Sequence, residues 1–127
     1  MNLTPATAGT AVENGVVSVG LADFREAPGR SLVLSRLLQP STQDVDAGQD
    51  TYDLSDENGW SVYAPFSSAR FQGSALEVEL TEEAQSVLVL PAEMRIDLSA
   101  LDESVEESVR QALASVVPEL AESDKGA

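Results

Sequence analysis

The 127 residues contain no cysteine and no histidine. Without cysteine there are no disulfides and no thiolate metal sites, which fits a reducing cytoplasm. Without histidine the commonest general base and the commonest metal ligand are missing. Bases are scarce as well: seven Lys and Arg stand against twenty-two Asp and Glu, a formal charge of −15. A field of that sign repels nucleic acid and anionic membrane, because both need cationic contacts. No apolar run approaches the length of a membrane span. No basic stretch followed by an apolar one marks a secretory signal. No phosphate-binding glycine pattern occurs, and no serine sits in a Gly-x-Ser-x-Gly elbow. Nothing repeats at a fixed period, so a solenoid is excluded.

What the chain does have is 43% hydrophobic residues, enough for a core in a chain of one-domain length. The expected division is a disordered leader over residues 1–13, a single domain over 14–120 and a loose tail over 121–127. The acidity is uneven: residues 77–127 hold thirteen acids against three bases. Acidity by itself keeps a protein soluble. It also attracts a basic protein and speeds the encounter.

The strand signals are short and frequent. Val16–Ala22 alternates, with Val17, Val19 and Leu21 on one face, after a turn at Asn14-Gly15. Ser31–Leu38 is a second strand, antiparallel to the first, beyond a Pro28-Gly29 loop. Asp50–Ser55 and Trp60–Ala64 are the third and fourth, with a turn at Glu57-Asn58-Gly59 and an edge or bend at Pro65. A hairpin follows, with Gln72-Gly73 as its turn, Phe71 opposite Ser74 and Ala69 opposite Leu76. Leu76, Val78 and Leu80 face the core and Glu77 and Glu79 face water. Thr81 caps a short helix over Glu82–Leu88, and Met94–Leu98 is the last strand. Ser99–Leu120 reads as an amphipathic helix, apolar at Leu101, Val105, Val109, Leu113, Val116 and Leu120. Glu106 and Arg110 are spaced to pair on its surface, for about 0.3–0.5 kcal/mol. The fold class is therefore α+β, mostly β: an antiparallel β-meander of six or seven strands with the C-terminal helix packed on one face.

Residues 50–80 hold the single Trp, both Tyr and two of the three Phe. Leu37 to Ala69 carries six acids and no base. Alternation puts Tyr52 with Leu54 on one face and Trp60 with Val62 on one face. Asp53 and Tyr63 point the other way. Trp60 is expected in the core, and Tyr63 is the better candidate for an anchor in a partner's site. The candidate binding residues are Asp44, Asp46, Asp50, Tyr52, Asp53, Asp56, Glu57 and Tyr63. Asp44, Asp46 and Asp50 resemble the start of a calcium loop. However, the positions where an EF-hand needs Gly and Glu are Gln49 and Ser55, so no metal is expected there. Neither catalytic residues nor a cofactor are expected.

Three readings remain open on residues alone: a binding protein, a structural or adaptor module in a larger assembly, and a carboxylate-only enzyme built on Glu77, Glu79 or Asp97. One resemblance weighs among them. Asp50-Thr51-Tyr52-Asp53-Leu54, the later Tyr63, Ala-Arg-Phe at 69–71 before Gly73, and Leu-Glu-Val-Glu-Leu-Thr-Glu-Glu-Ala at 76–84 resemble the immunity protein 10 family of bacterial polymorphic toxin systems. Pro-Gly-Arg-Ser-Leu-Val-Leu-Ser-Arg at 28–36 and Arg-Ile-Asp-Leu at 95–98 fit the same order, so the resemblance spans roughly residues 16–117. This chain has Asp53 where the family tends to have Cys, and Ala64-Pro65 where it tends to have glycines. The resemblance implies a small, mostly β, non-catalytic protein that binds and neutralises a toxin protein encoded beside it, and the lack of cysteine places it in the cytoplasm by expectation. Toxins of this class are often nucleases with basic clefts. No nucleic-acid or membrane partner is expected, and the oligomeric state is left open.

Overall fold

A computed structural model describes residues 2–23, 30–38, 51–117 and 120. Among these residues the chain forms β1 (Asn2–Leu3), β2 (Thr7–Glu13), β3 (Val16–Asp23), β4 (Arg30–Leu37), β5 (Tyr52–Asp56), β6 (Ser61–Tyr63), β7 (Phe66–Gln72), β8 (Ala75–Leu80), α1 (Glu82–Leu88), β9 (Glu93–Asp97) and α2 (Glu103–Val116). The strands make two sheets, one in the order β2-β3-β4-β5-β6 and one in the order β1-β9-β8-β7. All neighbouring strands are antiparallel except β1 and β9, which run parallel. The chain is thus mostly β and antiparallel, with a C-terminal helix, as the alternation implied.

The described residues hold nine strands rather than six or seven, for two physical reasons. First, Asn14 and Gly15 adopt φ of 52° and 77°, the backbone of a two-residue hairpin turn whose twist matches its strands. That turn folds Thr7–Glu13 back onto β3, in register from Thr7 opposite Ala22 to Glu13 opposite Val16. The expected leader is therefore structured: Leu3 and Pro5 are buried, and β1 pairs with β9. Second, the meander is split. At Ala64 (φ 48°) and buried Pro65 the chain leaves the five-stranded sheet and begins the other one at Phe66. The β7–β8 turn is Gly73-Ser74, so Phe71 lies opposite Leu76 and Ala69 opposite Val78. The pairing differs by two residues from the expected register. A two-residue shift keeps every side chain on its face, so Leu76, Val78 and Leu80 are buried as alternation required.

The inner faces of the two sheets meet. Val17, Val19, Leu21, Leu32, Leu34 and Leu54 from the larger sheet share one cluster with Leu76, Val78, Met94 and Ile96 from the smaller. Val109, Leu113 and Val116 of α2 complete it, and α2 lies against β2, β3 and β4. Each fully buried Leu or Ile here gives about 1.5–3 kcal/mol of transfer free energy. Arg110 joins α2 to the β7–β8 hairpin. It donates through Nη1 to the Gly73 carbonyl at 2.7 Å and stacks 4.3 Å from the Phe71 ring centre. Thr81 caps α1, its Oγ1 accepting the Ala84 N–H at 3.2 Å, and α1 sits beside β6.

Candidate functional site

The two sheets present their outer faces to solvent, and those faces differ in chemistry. On the smaller sheet Glu77 is bracketed by two guanidinium groups. Arg70 approaches its Oε1 at 3.0 Å and Arg95 donates to its Oε2 at 3.2 Å. Asn2, Ser68 and Glu79 line the same shallow depression, of about 590 Å³. Glu79 is exposed. The Asp97 carboxyl is held below the usual carboxylate range, first by hydrogen bonding with the Ser99 side chain and then by the Ser99 N–H, which it accepts at 2.9 Å. A carboxylate-only enzyme needs carboxyls desolvated together. Here Glu77 is ion-paired with two arginines, Glu79 is exposed and Asp97 accepts from Ser99, all on an open sheet face. No group of three or more acids is placed to hold a metal ion among the described residues.

The outer face of the larger sheet is lined by small residues. One row runs straight across all five strands: Ala11, Ser18, Ser35, Asp53, Tyr63. Ser18 and Ser35 share a hydrogen bond at 3.0 Å, and Ser55 Oγ donates to Asp53 Oδ2 at 3.3 Å. Burial pushes the Asp53 carboxyl above the usual carboxylate range, against the hydrogen bond from Ser55 that favours its charged form. Tyr63, on edge strand β6, is 41% exposed. Asp53 and Tyr63 therefore stand side by side on the face away from the core, as alternation placed them.

At the end of this sheet the chain reverses between β5 and β6 through Glu57-Asn58-Gly59. Gly59 takes φ 85° and donates to the Asp56 carbonyl at 3.1 Å, the pattern of a three-residue hairpin loop with glycine in the left-handed region. The Asp56 side chain stitches the loop from inside. Its Oδ1 accepts the Asn58 N–H at 2.9 Å and the Trp60 N–H at 3.1 Å. Glu57 forms a close ion pair with Arg30, Oε1 to Nε 2.7 Å, without the alignment of a hydrogen bond.

The candidate residues divide accordingly. Asp44, Asp46 and Asp50 lie outside the described residues. Asp53 and Tyr63 come together on the outer face. Asp56 builds the loop, and Glu57 is neutralised by Arg30, a partner from β4 that a charge count along β5 and β6 cannot reveal. Tyr52 is a correction: it is 3% exposed, its ring 5.8 Å from that of Phe66. It shares the core face with Leu54, so it packs and does not present itself to a partner. Trp60 is the opposite correction. It does share a face with Val62, but the core ends at Val62. Val62 is 3% exposed and Trp60 is 63% exposed. The Asp-x-Asn-Gly turn immediately before it is the signal that Trp60 belongs to the end of the loop, one residue ahead of β6.

No helix among the described residues is long and apolar enough to cross a membrane. No curated protein and no solved structure gives a match. The family model described as immunity protein 10 matches residues 3–106, a span that runs from the end of β1 through the first turn of α2. The chain belongs to the immunity protein 10 family.

Proposed function

We propose that this protein binds a cognate toxin domain one-to-one and neutralises it by covering a basic cleft, as in a nuclease, or by blocking the approach to it. It acts in the cytoplasm and performs no catalysis. The observation that carries this reading is how the charges are disposed. The chain has a surplus of acids, −15 overall, and its described cations are largely spoken for. Arg30 is held by Glu57, Arg70 and Arg95 by Glu77, and Arg110 by Gly73 and Phe71. The remaining carboxylates, among them Glu82 and Glu83 on α1 and Glu103, Glu106 and Glu107 on α2, are left to act outward. Such a field steers a cationic surface into contact and discriminates against acidic partners. Asp53 and Tyr63 on the outer face, with Asp44, Asp46 and Asp50 from the 39–50 segment, are the contacts assigned to the partner.

Co-expression with the toxin domain encoded beside the gene is expected to rescue growth, and the purified pair to associate at a rate that falls as salt rises. Failure of rescue together with absence of binding overturns the reading. A second reading, a structural module in a larger assembly, is favoured by one feature. β2 is an edge strand of seven residues, six of them exposed, with no strand on its far side among the described residues. Exposed edges of that length accept another strand. A stable oligomer in light scattering, lost when a proline replaces Thr10, is the result that reading requires.

A further inference from the structure

We infer that Trp60 is the anchor of the neutralising interface, seated in an apolar socket of the toxin whose rim is cationic. This rests on the reading above and names the residue that locks a complex which the acids only steer. Three observations carry it. The indole is the largest exposed apolar side chain among the described residues, 63% exposed, whereas Tyr63 at the far end of β6 is 41% exposed and Tyr52 and Phe66 are sealed in the core. The backbone beneath it is fixed before any partner arrives. The Trp60 N–H donates to Asp56 Oδ1, its carbonyl accepts the Asp56 N–H at 3.0 Å, and Asn58 and Gly59 are tied to Asp56 as well. A rigid aromatic on a tied loop loses little freedom on binding, which is the condition under which a contact converts into affinity.

The third observation is the charge immediately around the ring. Asp56 Oδ1 is already satisfied by two backbone N–H groups and Glu57 is already paired with Arg30. Covering this tip strands no naked charge, the usual cost of burying an acidic surface. The tip still sits on a chain of charge −15, so the socket that receives it is bordered by bases. Steering and locking are thus assigned to different residues: outlying carboxylates bring the partner in, and a tip whose acids are already partnered holds it.

The chain has one Trp, so 5-fluorotryptophan incorporation gives a single fluorine resonance that reports Trp60 alone. The unlabelled toxin domain encoded by the adjacent gene is silent. On titration with that domain the resonance is expected to shift and to lose its water–deuterium oxide isotope effect. By calorimetry Trp60→Ala is expected to bind about 30-fold more weakly or worse, with Trp60→Phe in between. If the wild-type chain binds the toxin while the resonance stays solvent-exposed and Trp60→Ala binds equally well, the anchor is wrong and the neutralising function stands. If the wild-type chain does not bind the toxin domain, both fall. Should Trp60→Ala fold poorly, the wild-type resonance decides by itself.

Discussion

Tyr52→Ala removes a ring packed in the core beside Phe66 and is expected to cost about 3–5 kcal/mol, read as a drop in the denaturant midpoint. Tyr63→Ala trims a side chain that is 41% exposed. It is expected to change stability by no more than about 0.5 kcal/mol while weakening association with the toxin. The two tyrosines could be told apart in the sequence, because period-two alternation sends residues 52 and 63 to opposite faces. What alternation could not supply was where the core stops along a face. Trp60 and Val62 share a face, yet only Val62 has anything above it. Asp53 carries its own pH signature. Its folded-state carboxyl lies above the usual range because burial disfavours the charge. The stability linked to its protonated form is therefore present below the usual carboxylate range and is lost as pH rises through the raised value. Asp53→Asn is expected to be more stable than the wild type at neutral pH, with the gap closing in acid. Equal gaps at both pH values would refute it. Asp97 runs the other way. Its lowered carboxyl supports the fold at neutral pH, and that support disappears as pH falls through the lowered value.

Elements with strong local signals were legible, and elements made by pairing were less so. Helix α1 was bounded at both ends by its cap at Thr81 and the change of pattern before Pro91, and it forms over the expected residues. Its C-terminus holds a feature that composition hides. Val89 closes the helix in the left-handed region, φ 52°, with its N–H on the Gln85 carbonyl, and the Leu90 N–H reaches the same oxygen at 3.1 Å. A β-branched residue is strained there, and glycine is the usual occupant. The Val89 side chain is 83% exposed and gives the core nothing. Val89→Gly is expected to raise stability by about 1 kcal/mol in thermal unfolding. In α2 the apolar spacing found the buried stripe, but a view along one helix could not show what else Arg110 touches. The guanidinium reaches another element, the β7–β8 hairpin. β2 was missed because Thr7–Glu13 is small and polar by composition. What makes it a strand is the Asn14-Gly15 turn that follows it.

On the scale of the whole molecule, residues 2–13 belong to both sheets, β1 to the smaller and β2 to the larger. The short link between them is fastened at Asp23, whose Oδ2 accepts the Thr4 N–H at 2.9 Å, and at Ala22, whose carbonyl accepts the Ala6 N–H at 3.1 Å. Deleting residues 2–13 takes away buried Leu3 and Pro5 and bares the β3 edge. The truncated chain is expected to lose at least about 10 °C of melting temperature, measured by circular dichroism. An unchanged melting temperature would mean that this segment rides on the fold without supporting it. One further consequence follows from the parallel seam that sets Asn2 beside Arg95 and Leu3 beside Ile96. A ribosome makes β1 more than ninety residues before it makes the strand that β1 must join, so this seam closes late in synthesis. Under the proposed neutralising function, a nascent chain stalled before β9 and α2, whose Val109, Leu113 and Val116 complete the core, offers the toxin no finished antagonist.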